Sequence, residues 1–415
     1  MINQIAILTR EYPLYSNRGG IATFFEGLSD VLSKSNDVVV VTEGLKFDDE
    51  SLTKSNNCSF LFPSLRFNSR LSNRIIYKSP VALLRKLAYV LFPDVAEKIE
   101  WSFYASYWLK KTYPDIKVIH SCEYDFPFLF SRFFFPSAKI IIHSESPQLF
   151  LRKYVEEKWE NVVKSRIEIM ATVKSADLVV ACSSQLYDFW KHKHVKRVEF
   201  KSNFVNNGVW KSIMKPLKSI DRDENQTHLV FIGRLEYRKG VDLLLKIFTY
   251  YKKHYSDSVG LHLIGRKTKT FQVKNKLLDF DQYVTEENID KSFIHIEHID
   301  NKDQMRLYIS KLRGKIIYVH LARYEPCSLA IIEAMSMGLP VVTTHVAGKD
   351  IIINNSTGFL VNPFTKITSE TLHGIITNWK ETRVIAQSGQ QYAHKNLSSK
   401  SNQIFYRELY RELLK

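Results

Sequence analysis

Two carboxylates eight positions apart, Glu325 and Glu333, lie in the run Arg323-Tyr324-Glu325-Pro326-Cys327-Ser328-Leu329 and the helix that continues from it. Glu325 falls in a turn before the helix. Glu333 falls inside it, among Leu329, Ala330, Ile331, Ile332, Ala334, Met335 and Met337. A helix so apolar is buried, and a buried carboxylate without donors costs several kcal/mol, so polar hydroxyls, a cation or a ligand must meet it. The sequence supplies no Arg or Lys at helical spacing from Glu333, so a ligand rich in hydroxyls would fit. A second stretch, Phe231-Ile232-Gly233-Arg234-Leu235-Glu236-Tyr237-Arg238-Lys239-Gly240-Val241-Asp242, reads as strand, turn and helix. It places Arg234 and Lys239 five positions apart at the end of a strand, where fixed cations stabilise developing negative charge. Gly19 and Gly20 follow the first strand and open a helix, a place where backbone N–H groups can approach a phosphate. The plainer alternatives are a capped core helix with an incidental glutamate and a surface Arg and Lys in ordinary ion pairs.

Positioning such groups requires strands that end together. Short β-branched runs alternate with helical patterns throughout, which predicts parallel sheets with crossover helices. Strands are expected at 4–9, 38–42, 58–62, 117–120, 139–143 and 178–182, then at 229–232, 261–264, 293–296, 316–321 and 341–344. Helices are expected near 21–34, 95–112, 154–174 and 184–192, and after Gly240, where Val241, Leu244, Leu245 and Phe248 recur at i, i+3, i+4 and i+7. The polar stretch Lys211 to Gln226 breaks the alternation and reads as a linker. The fold class is therefore α/β, with two doubly wound, Rossmann-like domains, 1–205 and 206–395, facing a central crevice where ligands bind. Residues 396–415 form a last helix. His143 ends one apolar strand, where a histidine faces the crevice more often than the core, and His120 ends another; Glu123, Asp125 and Glu145 follow those strand ends, able to bind acceptor hydroxyls or to cap turns.

With 415 residues, 45% apolar and 25% charged, the chain is long enough for two or three domains of a soluble enzyme. Its start is too short and too lightly flanked for a secretory signal, and no run reaches the length of a membrane span, so a cytoplasmic protein is expected. Cys58, Cys122, Cys182 and Cys327 are far apart and indicate neither a zinc site nor a disulfide framework. The net charge is +16. Residues 51–93 contain seven Lys or Arg and no acid, interleaved with apolar residues from Phe67 to Phe92. That pattern suits an anionic membrane surface or a phosphate-bearing acceptor as well as it suits a solvated face. No nucleic-acid motif accompanies the charge.

Together, the Glu325 and Glu333 spacing and the Gly233-Arg234-Leu235-Glu236 to Lys239-Gly240 pattern resemble family 4 retaining glycosyltransferases of GT-B fold. The resemblance covers nearly the whole chain, including Asn207-Gly208-Val209 and Gly358-Phe359-Leu360-Val361. It implies a metal-independent transferase moving a sugar from a nucleotide diphosphate, UDP or GDP, to a glycan or lipid-linked acceptor, with no cofactor, in bacterial surface polysaccharide assembly. It implies an acceptor-side first domain, a nucleotide-sugar-binding second domain, and a final helix packing on the first. By resemblance, Arg234, Lys239 and the helix N-terminus at Ser328 and Leu329 meet the diphosphate, with Gly19, Gly20 and Gly233 nearby. Glu333 holds ribose, and Glu325 and His143 orient the sugar. No Asp-x-Asp pair stands where a metal-dependent transferase would hold its ion, so no metal is expected. The chain departs from the family pattern at Ala322-Arg323 and at Ala347-Gly348-Lys349-Asp350. A nucleotide-sugar epimerase of the same fold and a non-catalytic scaffold subunit are the alternatives.

Overall fold

The computed structural model describes residues 4–12, 19–43, 53–55, 58–63, 89–154, 158–204, 225–256, 258–273, 276–299 and 301–415. They divide into two compact units: Met1–Lys201 with Gln403–Lys415, and Ser202–Asn402. Most of the basic 51–93 segment, most of the Lys211 to Gln226 linker, and Asn207-Gly208-Val209 lie outside the described residues.

In the first unit, β1 (Gln4–Leu8), β2 (Asp37–Val41), β3 (Thr53–Ser55), β4 (Cys58–Leu61), β5 (Val118–Cys122), β6 (Lys139–Ser144), β7 (Leu178–Ala181) and β8 (Val198–Phe200) form one sheet. Its order is β3-β4-β2-β1-β5-β6-β7-β8, parallel except for β3 against β4. Strands β1, β2 and β7 are near-continuous apolar runs, buried on both faces, as parallel strands covered by helices are. The chain moves outward from β1 through β2 to β4, then returns to the other side of β1 to lay down β5. That reversal opens a gap beside the C-terminal ends of β1 and β5, where Thr9, Arg10 and Glu11 meet Glu123, Tyr124 and Asp125. The helix Gly20–Ser33 buries Phe24, Phe25, Leu28, Val31 and Leu32 against this sheet. From the far end of the chain, the helix Ser399–Leu413 brings buried Tyr406 and Tyr410 to His143 and His120.

The second unit repeats the plan. Strands β9 (Thr227–Ile232), β10 (Val259–Ile264), β13 (Ile294–Glu297), β14 (Lys315–His320), β15 (Val341–Thr344) and β16 (Phe359–Val361) form a parallel sheet in the order β13-β10-β9-β14-β15-β16. A separate hairpin pairs β11 (Lys269–Val273) with β12 (Lys276–Asp279). The helix Val241–His254 packs Val241, Leu244, Leu245 and Phe248 into the core beside Leu229, Phe231, Leu261 and Ile317, as its 3.6-residue periodicity requires. Here the reversal falls between β9 and β14, so the loops 233–240 and 321–328 lie side by side. Gly240 makes that approach possible. Its φ of +71° is left-handed, and a Cβ there would stand 1.9 Å from the Leu321 carbonyl oxygen.

All four cysteines are free and buried, matching the expectation of no disulfide framework. The short strands β3, β8 and β16 and the β11–β12 hairpin were not among the expected elements.

Candidate functional site

At the β9/β14 reversal the loops meet through main chain and charge. The Arg323 N–H donates to the Arg238 carbonyl at 2.9 Å, and Arg238 Nη1 donates to the Tyr324 carbonyl at 3.0 Å. Around this seam four charged groups form one network. Arg238 bonds Glu236 Oε1 at 2.6 Å and Glu325 Oε2 at 3.1 Å, and the same Glu325 oxygen takes the Lys239 ammonium. Burial opposes ionisation of Glu325, but the charges of Lys239 and Arg238 outweigh it and hold the carboxyl down at about 2. Glu325 is therefore a fixed carboxylate at neutral pH. His320, at the end of β14, is fully buried beside this network, with Nδ1 2.9 Å from Tyr318 Oη and Nε2 lacking a hydrogen-bond partner. Burial and then the Lys239 charge push its imidazole down to about 3, so it is neutral.

Arg234 and Lys239 differ in availability. Lys239 is enclosed and committed to Glu325. Arg234 keeps 61% of its side chain exposed, 3.6 Å from Glu236. Gly233, just before it, has φ +148° and donates its N–H to Ile264 O at 2.9 Å. Ser328 caps the helix Leu329–Ser336, its Oγ accepting from the Ile331 N–H at 3.4 Å. Cys327 is held by Asn203, which donates its main-chain N–H to Sγ at 3.3 Å and its amide to the carbonyl at 3.4 Å.

Glu333 is buried, as its helix required, and it does have a cation. Lys302 Nζ bonds its Oε2 at 2.6 Å, from a different helix, Lys302–Lys311. Of the partners a buried carboxylate can take, hydroxyls, a cation or a ligand, the one present is a cation. Local spacing could not reveal a partner from a neighbouring element.

Of the two departures from the family pattern, the one at Arg323 has a structural account. Arg323 grips Asp242 with two 2.6 Å bonds, donates to the Tyr237 carbonyl at 2.7 Å and lies 3.7 Å over the Tyr237 ring, fastening one loop to the other. At Gly348 a Cβ would meet Thr343 Cγ2 at 2.4 Å, so that turn packs against β15 too closely for a side chain.

In the first unit the β1/β5 reversal opens a cavity of about 240 Å³ lined by Thr9, Arg10, Glu11, Asp94, Lys98 and Asp125, among others. Its cations are matched by acids: Arg10 bonds Glu43 and Glu97, and Lys98 bonds Asp94, while Lys164, outside the lining, reaches Asp125 at 2.6 Å. Such a lining offers carboxylates to hydroxyl donors rather than a home for a phosphate. The three candidate acids separate here. Asp125 faces the cavity, whereas Glu123 is fully buried and accepts the Glu145 and Ser146 N–H groups at 2.9 and 2.7 Å. Burial pushes the Glu123 carboxyl up to about 8. Glu145 is buried 3.1 Å from His143 Nε2.

His143 does not face outward. It is fully buried, stacked on Phe24 at 3.9 Å with Tyr406 Oη 3.3 Å from Nδ1, which corrects the expectation of an accessible strand-end histidine. His120 is buried likewise against Tyr410 at 2.7 Å. Gly19 caps its helix in extended backbone, φ −101°, a conformation that needs no glycine. A Cβ there would lie 2.8 Å from Glu11 Oε2, whereas one at Gly20 would meet nothing within 4 Å. A carboxylate thus stands beside the loop expected to receive a phosphate.

Arg238, Lys302 and His320 were missed by sequence reasoning. Arg238 and His320 carried a signal, since they occupy the same loop as Lys239 and a strand end; Lys302 carried none.

Two doubly wound parallel sheets with this arrangement constitute the GT-B glycosyltransferase fold. Sucrose-phosphate synthase from Thermosynechococcus elongatus shares it with a TM-score of 0.73 over 99% of both chains at 16% identity. Anabaena HepE, solved in complex with UDP and glucose, shares it with a TM-score of 0.67 at 14% identity, over 99% of this chain and 100% of its own. Residues 215–392 match the family model for glycosyl transferases group 1. A probable sucrose-phosphate synthase of Thermosipho melanesiensis is 22% identical over 215 residues, 51% of this chain and 49% of its own. The capsular polysaccharide biosynthesis glycosyltransferase CapM of Staphylococcus aureus is 26% identical over 182 residues, 43% of each chain. The matched stretches span about half, or less, of these curated relatives. Among the described residues no helix is long and apolar enough to cross a membrane.

Proposed function

We propose that this protein is a retaining, metal-independent glycosyltransferase that moves a sugar from a nucleotide diphosphate, UDP or GDP, to a glycan or lipid-linked acceptor in surface polysaccharide assembly. The observation that carries the reading is the charge arrangement at the β9/β14 reversal: an exposed Arg234 beside a buried Arg238, Lys239 and Glu325 network. Leaving-group charge grows on the diphosphate as the glycosidic bond breaks, and a pre-positioned guanidinium stabilises it without reorganisation. Arg234 takes that role, aided by the helix N-terminus at Ser328 and Leu329. Lys239 adds charge from behind while fixing Glu325, which stays ionised to accept sugar hydroxyls. Glu333 receives the ribose hydroxyls with Lys302 holding its Oε2. The matched region, residues 215–392, contains all of these groups, and HepE's complex with UDP and glucose supports a nucleotide-sugar donor. CapM's capsular polysaccharide role supports a glycan product.

In the first unit, Asp125 and the cavity beside it serve acceptor hydroxyls. His143 acts from inside, setting Glu145 and the 145–146 loop that Glu123 also holds. The protein works at the cytoplasmic face of the membrane.

A panel of nucleotide-sugars tests the donor assignment. One donor should raise the melting temperature, since a ligand at a hundred times its Kd adds about 2.7 kcal/mol to folding stability. A panel in which no nucleotide-sugar shifts melting, while free nucleotides also fail, would contradict it.

A further inference from the structure

The connection from β5 to β6 is unusually rich in phenylalanine: Phe126, Phe128, Phe130, Phe133, Phe134 and Phe135. Phe126, Phe128 and Phe135 are core residues, but Phe133 leaves 78% of its surface exposed. It is held out rather than loose. The short helix Ser131–Phe134 is pinned by Arg132, which turns inward to donate to the Ser175 and Ala138 carbonyls at 2.8 Å and to Asp177 at 2.5 Å. Half-buried rings lie beside the helix that carries Phe133. Phe134 stands 5.1 Å away and itself packs on Phe103 at 5.5 Å and Tyr107 at 6.2 Å, with Phe130 5.4 Å from Phe103.

Lysines rim this aromatic surface. Lys111 Nζ lies 4.2 Å over the Trp108 ring, and Lys110 Nζ lies 5.1 Å from the centre of Phe135. Exposed Lys117 and Lys139 sit at the same end of the sheet, joined by the bond from the Lys139 N–H to the Lys117 carbonyl at 2.9 Å. The exposed acid among them is Asp115; Asp177 is already taken by Arg132 and Lys196. Phe133 and its half-buried neighbours offer on the order of 300 Å² of aromatic surface, taking 150–250 Å² per ring residue. A stable protein interface needs about 800 Å² per partner. The area is too small for a second copy, while a protruding ring with lysines around it matches the headgroup and acyl boundary of an anionic bilayer.

We propose that Phe133, with Lys110 and Lys111, seats this protein on an anionic lipid surface. The surface lies toward the N-terminal ends of β6 and β7, away from the strand ends that carry Thr9 and Asp125, so docking there leaves the cavity open. The proposal stands without the glycosyl-transfer reading, and its test uses no donor. Full-length protein is sedimented with vesicles of phosphatidylcholine alone and of equal parts phosphatidylcholine and phosphatidylglycerol. Wild type should partition at least tenfold more onto the anionic vesicles. Phe133→Ser should lose about tenfold of that binding with unchanged melting, each of Lys110→Gln and Lys111→Gln about fivefold, and Phe133→Trp should retain it with blue-shifted emission. Equal partitioning of wild type and Phe133→Ser would overturn the proposal. So would vesicle binding that ignores Phe133 while sedimentation velocity shows Phe133→Ser abolishing self-association, which would assign the surface to a second copy.

Discussion

Arg234 and Glu333 act at different moments of the proposed reaction, and substitution should separate them. Ribose is held alike before and during bond breaking, so Glu333→Gln should raise the donor KM about tenfold with kcat little changed, some of the loss coming from an unpaired Lys302. Charge on the diphosphate grows only in the transition state, so Arg234→Ala should lower kcat about a hundredfold, the equivalent of roughly 3 kcal/mol. Steady-state kinetics at saturating acceptor distinguish the two; near-normal kcat in folded Arg234→Ala would make that residue an ordinary surface cation. Much of this was legible because each participant marks itself within its own segment, although Lys239 and Glu325 stand 86 positions apart. Arg234, Lys239 and Glu325 stand at strand ends and loop starts where α/β sheets place their ligands. Lys302 was not legible, because it reaches Glu333 from a helix 31 positions away and nothing in its own surroundings marks it. His143 misled for the reverse reason. Its strand end is where an exposed histidine would sit, but Phe24 and Tyr406 close over the ring.

At the scale of elements, the parallel strands read clearly because full burial demands uninterrupted β-branched runs such as Val38 to Val41 and Ile140 to Ile142. Strands of three residues, β3, β8 and β16, carry too little pattern to be seen. The β11–β12 hairpin is partly polar and sits off the main sheet, so no apolar run announces it. The turn after β6 makes a measurable prediction. Buried Glu123 holds the Glu145 and Ser146 N–H groups, and its folded carboxyl is pushed up to about 8, against about 4.3 for an unfolded glutamate. The folded state binds this proton more tightly, so the stability it contributes is complete below about pH 4 and is lost as pH rises toward 8. Urea unfolding between pH 5 and pH 8 should show wild type losing on the order of a few kcal/mol that Glu123→Gln does not lose. Parallel pH dependence in the two proteins would mean that Glu123 ionises freely in the folded state.

For the whole molecule, the alternation of strands and helices was enough to read an α/β protein with two doubly wound sheets, and the motif resemblance added the GT-B fold that the solved neighbours share. What alternation cannot show is contact across the chain. Tyr406 reaches His143 from 263 positions away and Tyr410 reaches His120 from 290, pairings that only the folded first unit creates. In the reaction we propose, protein cations, with no metal, release a nucleoside diphosphate while the sugar passes to an acceptor with its configuration kept. Proton NMR of the donor that stabilises the protein, mixed with acceptor in excess EDTA, follows every part of that claim at once. The expected result is loss of the donor anomeric signal and growth of a glycosidic signal of the same configuration, only when acceptor is present. An epimerised donor without acceptor, an inverted product, or no reaction until magnesium or manganese is restored would contradict it.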